Sequence, residues 1–338
     1  MSDQPSQADL RATALHERRG RAALDEILTS RQMVFVTGKG GVGKSVVSAT
    51  LALRARSLGL RPVLFECDSP ARLSLLPDGK PVKDDISEVA PGILGINQKS
   101  EEAIRDYAAS TLPSKTLADL LFENRVARLF LRAAPSVAEM ALIGRIALIA
   151  EHYGADGPVI VDLHATGHAI SLLRAPGGIM RVLQKSKGAL WDRAQAIERM
   201  LQDNKRTAFV TVAVPEELPI TELLELHQKL KAEHAPIGPV ILNSVMSAPG
   251  AVSSAALTAL LSSEKTSGAA RDLRFLVAGA ERCAREKTRL LDGLRALHGD
   301  AFHVVTLPAR SDNSDERLAP RLEEVLRRPV VVPAAEAA

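Results

Sequence analysis

The chain has 338 residues, enough for two ordinary domains or one large α/β unit. Hydrophobic residues make up 46% and charged residues 25%, which excludes wholesale disorder, collagen and coiled coil and leaves enough apolar surface to bury a core. The net charge of +3, from 43 basic and 40 acidic residues, does not by itself point to nucleic acid or a membrane surface, and 3% aromatic content disfavours a base-stacking platform. Two cysteines, Cys67 and Cys283, cannot build a disulfide framework or a four-cysteine zinc site. The N-terminal stretch shows no apolar signal region, and the longest apolar run, Ala141–Ala150, contains Arg145. A reduced, soluble, cytoplasmic protein is the expectation.

In chain order, residues 1–30 read as an N-terminal extension. Short β-branched runs then predict strands at Met33–Thr37, Pro62–Cys67, Ile93–Ile96, Val159–Leu163, Ala208–Val214, Val240–Leu242 and His303–Leu307. These runs are nearly continuous rather than alternating, as strands buried on both faces require. Helical patterns between them make the fold class α/β, a doubly wound, mostly parallel sheet. No strand is expected over about 101–154 or about 178–204, where apolar residues fall at helical spacing and Pro113 and Pro135 interrupt the first block. These two stretches read as a helical subdomain inserted within a domain covering 31–328, followed by a mobile tail at 329–338.

The most informative segment is Val34–Ser45, VFVTGKGGVGKS, which satisfies G-x-x-x-x-G-K-[ST] through Gly38, Gly43, Lys44 and Ser45. It follows a predicted strand and precedes a helical pattern with Val47, Leu51, Ala52 and Ala55 on one side. Glycines let backbone N–H groups curl round a polyphosphate, and the helix behind supplies its positive end. Lys44 would place a cation on the β- and γ-phosphates, and the Ser45 hydroxyl would complete a magnesium shell. ATP and Mg2+ are the expected ligands, with Gly38, Lys39, Gly40, Gly41, Val42, Gly43, Lys44, Ser45 and Val46 around the nucleotide.

The extra lysine, Lys39, makes GKGGVGKS resemble the deviant Walker A motif of the dimeric P-loop ATPases that include ParA, MinD, nitrogenase iron protein and ArsA. That resemblance implies that Lys39 reaches across a dimer interface to the partner's nucleotide. VIVDLHATGHAISLLRAP, Val159–Pro176, resembles the switch II signature of the ArsA-type ATPases, DTAPTGHT…LL…P, with Thr166, Gly167 and His168 as its core. His164 and Ala165 replace the family's Ala-Pro. A strand ending in Asp162 suits a magnesium ligand acting through water. FECDSPARLSLL resembles switch I, which implies Asp68 as the catalytic carboxylate orienting the attacking water. The usual Asp-Pro-Ala is one residue longer here. VILNSV resembles the adenine strand, implying Asn243 as its reader; LPARSD, with Pro308, sits where a late loop packs on the base. AVPEELPITELLEL resembles the family's Pro-Glu-x-Leu-x-x-x-Glu segment with Glu217 and Glu222, and ALDEILTSRQMVF its lead-in helix.

His164 and His168 invite a zinc reading, but the Glu of H-E-x-x-H and a third ligand are missing, so a structural or switch role is expected. Asp68, Asp162 and Asn243 are also ordinary turn formers. The family contains arsenite-pump ATPases and ATPases that target tail-anchored membrane proteins. Two distant cysteines do not make an arsenite triad, and the Cys-x-x-Cys that braces eukaryotic targeting dimers is missing. Targeting members shield a client helix in an apolar groove; Leu121, Phe122, Phe130, Met140, Ile143, Met180 and Leu183 are the groove candidates here, with core packing as the alternative for each. The expected function is a dimeric, magnesium-dependent ATPase of the ArsA type that handles an apolar helix or membrane-protein partner. The dimer is a homodimer or a heterodimer with a related subunit, and nucleic acid is not an expected partner. A ParA/MinD-like positioning ATPase that binds membrane or DNA in its ATP form is the alternative, and a nucleotide-binding module without turnover a third reading.

Overall fold

The computed structural model describes residues 7–67, 75–76, 80–99, 102–103, 135–163, 166–184, 188–246, 268–309 and 318–330. The sequence-predicted Asp68, Leu121, Phe122, Phe130 and His164, and the tail from 331 onward, lie outside the described residues, as does the side chain of Thr166. The described elements run α1 (Gln7–Ser30), β1 (Met33–Gly38), α2 (Lys44–Ser57), β2 (Val63–Cys67), β3 (Ser87–Ala90), β4 (Ile93–Gln98), α3 (Pro135–Tyr153), β5 (Val159–Asp162), α4 (Thr166–Val182), α5 (Ala189–Gln202), β6 (Thr207–Ala213), α6 (Glu217–Ala232), β7 (Ile237–Val245), α7 (Gly268–His298), β8 (Val304–Pro308) and α8 (Leu318–Arg327).

The strands form one sheet in the order β3-β4-β2-β5-β1-β6-β7-β8. Every adjacent pair is parallel except β3–β4. The alternation of side chains along β1 shows why its sequence is apolar throughout. Met33 and Phe35 join one core with α3, α4 and α5, while Val34 and Val36 join another with α1, α2 and α8. Phe35 stacks on Phe209 of β6 with ring centroids 4.9 Å apart. A third core, Val240, Leu242, Leu223, Leu290 and Leu294, closes β7 under α6 and α7.

The strand β3 was not foreseen: SEVA carries little β-branched signal, and its antiparallel pairing with β4 includes a register shift at Glu88/Ala90. Strand β7 is also longer than VIL, running from Ile237 to Val245 with Ser244 in a left-handed conformation at φ 57. At the opposite edge, α1 lies along β8. A Cβ on Gly20 would meet the Val304 carbonyl at 2.4 Å, so only glycine permits this approach. The Glu17 carboxylate accepts the Thr306 N–H at 3.2 Å. Arg54 on α2 grips Asp25 on α1 with two hydrogen bonds, at 2.8 and 2.6 Å.

Crossing from β1 to α2 leads to one face of the sheet, whereas crossing from β5 to α4 leads to the other. Because β1 and β5 are neighbours, a crevice opens beyond their C-terminal ends, the usual ligand position of such sheets.

One buried group ties α6 to the sheet and to α7. His227 is 1% exposed; its Nε2 lies 2.9 Å from Thr211 Oγ1 and its Nδ1 3.0 Å from His298 Nε2. Burial, helped by the neighbouring His298, pushes its pKa down from 6.5 to about 3. Below pH 6.5 the unfolded chain takes up a proton that the folded chain refuses. Stability is therefore complete above that value and falls as pH drops toward about 3, at about 1.4 kcal/mol per pH unit. Urea midpoints measured between about pH 7.5 and about pH 5 should fall with acid, and His227→Gln should flatten that slope by about one proton. An identical slope in the variant would assign the pH dependence to other groups.

Candidate functional site

The turn between β1 and α2 occupies the crevice. Gly38 closes β1 so tightly against β6 that a Cβ there would stand 2.2 Å from the Val212 carbonyl. Gly43, at φ 90, is the residue preceding α2 and offers no side-chain cap, so the helix begins with open N–H groups facing the crevice. Asn243 on β7 donates from Nδ2 to the Val42 carbonyl at 3.0 Å, in a buried hydrogen bond that fixes the turn from the side. A Cβ on Gly43 would lie 2.5 Å from that same Nδ2.

Two ammonium groups flank the turn in different states. Lys44, only 7% exposed, donates to the Lys39 carbonyl at 2.9 Å. Burial lowers its proton affinity, partly offset by the attraction of Asp162. A polyphosphate arriving there would restore it, since an anion at hydrogen-bond distance favours the charged amine. Lys39, half-buried, is held by Glu222 of α6 at 2.8 Å. That places the early lysine against its own chain rather than into the crevice.

Asp162 ends β5 beside β1 and accepts a hydrogen bond from Ser48 Oγ at 3.3 Å. Ser48 was missed in the sequence, although its position one helical turn after Lys44 put it on the crevice side of α2. The Ser45 hydroxyl is exposed at the first turn of α2. One carboxylate and one hydroxyl at the mouth of a phosphate turn suit magnesium, which keeps most of its shell as water and phosphate oxygen. Among the described residues there is no group of three or more His, Cys, Asp or Glu able to hold a metal, which leaves no closed zinc-type cage there.

The remaining predicted residues distribute as follows. Gly40 and Gly41 are exposed in the turn, and Val46 is half-buried against the α2 core. Thr166, Gly167 and His168 begin α4, with Gly167 exposed and His168 half-buried. Pro308 ends β8 opposite Val245, two residues beyond Asn243 and so at the same end of the sheet. The groove reading needs correction at two positions. Met140 and Ile143 are 1% and 0% exposed and pack beneath the sheet, because their face of α3 supplies the core against β1, β2 and β5. Met180 is half-buried against the same core, and Leu183 is half-buried just past α4.

Comparison with known proteins agrees with this arrangement. The arsenical pump-driving ATPase of Escherichia coli is 28% identical over 226 residues, covering 66% of this chain and 37% of that protein. ATPase GET3C of Arabidopsis thaliana is 24% identical over 270 residues, covering 65% of this chain and 68% of the relative. A putative ATPase of Mycobacterium bovis is 26% identical over 231 residues, covering 64% and 66%. The chain thus spans little more than a third of the arsenical pump-driving protein. The profile of the family described as Anion-transporting ATPase matches residues 31–191 and 183–265, a span that contains the phosphate turn, Asp162, Glu222 and Asn243. This chain belongs to that family, the ArsA ATPases.

Proposed function

We propose that this chain is a magnesium-dependent, dimeric cytoplasmic ATPase whose opening and closing with nucleotide handles an apolar helix or partner protein, not arsenite. The observation that carries the reading is the uncapped start of α2 with Lys44 buried against the turn and Asp162 beside it. Open N–H groups and a desolvated ammonium favour a triphosphate over any neutral ligand.

In this mechanism Lys44 exchanges the Lys39 carbonyl for phosphate oxygens, and the exposed N–H groups of the turn take the rest of the tail. Ser45 and Asp162 would hold magnesium, which supplies neutralisation of the phosphate charge. Asp68 orients a water toward the γ-phosphorus; the new P–O bond forms as the β–γ bridging bond breaks, the water's proton passes to a phosphate oxygen, and ADP and phosphate leave. Asn243 would read the adenine through its amide while also bracing Val42.

On the dimer reading, Lys39 rests on Glu222 of its own chain until the nucleotide of a second copy draws it away. Both groups are about a third exposed, so the pair is a weak latch of roughly 0.2–1 kcal/mol. A triphosphate on a second copy would outcompete it.

Against arsenite, both thiols are buried and far apart in the fold, Cys67 on β2 and Cys283 on α7, which lies beyond β7. Two such sulfurs cannot converge on one arsenic. For an apolar partner, α7 offers Phe275 at 67% and Leu276 at 44% exposure. Since α7 links parallel β7 to β8, it begins at the nucleotide end of the sheet, the end that a nucleotide-driven motion would move. No helix among the described residues is long and apolar enough to cross a membrane.

Calorimetry with Mg·ATP on the full chain should give saturable heat that Lys44→Ala abolishes; ATP turnover retained in Lys44→Ala would overturn the assignment. Glu222→Gln should release the latch and tighten ATP-dependent dimerisation by up to about fivefold in sedimentation velocity. Lys39→Ala should lower turnover while leaving nucleotide affinity of the monomer unchanged, and unchanged turnover would reject the cross-dimer role.

A further inference from the structure

A cavity of about 590 Å³ lies between α1, α7 and the edge strand β8, along the flank of the sheet rather than in the crevice at the strand ends. Its size falls within the range of small-molecule pockets, about 300–1,000 Å³. One wall is apolar: Leu291 from α7, Phe302 and Val304 from the edge strand and its approach, and Leu15 at 36% exposure on α1. The other wall is cationic. Lys287 precedes Leu291 by one helical turn, so both belong to the stripe of α7 that faces the cavity.

The charges of this wall are unevenly matched. Its two acids are already engaged: Glu17 holds Arg21 at 3.1 Å and the Thr306 N–H at 3.2 Å, and Asp300 faces Arg295 at 3.6 Å. Lys287 has only the Thr306 hydroxyl, at 3.3 Å, and neither it nor Arg19 has a carboxylate partner among the described residues. The His16 ring stacks obliquely on Phe302, and its Nε2 is buried without a hydrogen-bond partner among the described residues. Burial, with His303, Lys287 and Arg19 nearby and Glu17 partly offsetting them, holds His16 below its ordinary pKa.

From these observations we infer that the cavity is a binding site for a small amphipathic carboxylate, with its head on Lys287 and its apolar body against Leu291, Phe302 and Val304. A cationic or neutral amphiphile would leave the ammonium uncompensated, and a bare inorganic anion would leave the apolar wall wet. The site is separate from the nucleotide turn, and the inference does not depend on ATP binding.

Sodium decanoate titrated into the full chain tests it, followed by calorimetry and by methyl NMR of leucine and valine. Decanoate should bind at one saturable site, with shifts centred on Leu291 and Val304. Decanol should bind about tenfold more weakly, and decyltrimethylammonium and inorganic phosphate should not bind. Lys287→Met, which keeps the apolar stem, should cost decanoate about tenfold and leave decanol unchanged. Leu291→Trp should fill the cavity and abolish both, with the melting temperature and ATP turnover retained. The inference is overturned if decanoate does not bind the folded protein at millimolar concentration, if the cationic amphiphile binds as well, or if Lys287→Met leaves the decanoate-to-decanol ratio unchanged.

Discussion

A helix that begins at the centre of a buried sheet without a side-chain cap leaves its first N–H groups in need of an acceptor, and the rest of the site follows from that need. Gly43 allows the left-handed approach that aims those groups at the crevice, Asn243 fixes the turn by holding Val42, and Gly38 lets β1 end hard against β6. Burial of Lys44 beside Asp162 then makes the vicinity electrostatically incomplete: the amine is desolvated and its nearest carboxylate only partly compensates. An anion with several oxygens satisfies all of these groups together. A single carboxylate from the chain would satisfy only some of them.

The parts of this arrangement that were legible in the sequence are those written in contiguous residues. The phosphate turn is one uninterrupted motif, and the central strands announce themselves because MVFVT, VIVDL and AFVTVAV must be apolar on both faces. Asp162 could be placed because it ends such a run. What escaped the sequence depends on neighbours brought in from elsewhere. The strand β3 exists only because β4 offers it a partner, since SEVA has no periodic signal of its own. Ser48 matters only once β5 sets Asp162 beside it, and the latch between Lys39 and Glu222 joins residues 183 positions apart. Met140 and Ile143 failed as groove candidates for the same reason: an apolar helical face reads alike whether a client or the protein's own sheet covers it.

The ion pair between Lys39 and Glu222 holds the early lysine only loosely. A fully buried ion pair would cost several kcal/mol to break once one partner left, whereas a pair about a third exposed is screened and easily exchanged. Glu222 sits on the same helix as His227, which is anchored through Thr211 to β6 and through His298 to α7. The helix that carries the latch is thus rigidly seated at its far end. Exchange of Lys39 can occur by a local side-chain movement, with no need to displace α6.

The covering of β8 by α1 has a consequence for how the molecule can associate. The outward backbone positions of β8 are Val304, pressed against Gly20; Thr306, whose donor goes to Glu17; and Pro308, which has no donor to offer. At the other margin β3 is four residues long, kinked by a register shift and marked by the exposed acid Glu88. Neither margin is a template on which a foreign polypeptide could lay an additional strand. Strand addition is thus disfavoured at both described margins, which guards the sheet against the edge-to-edge stacking to which open parallel sheets are prone.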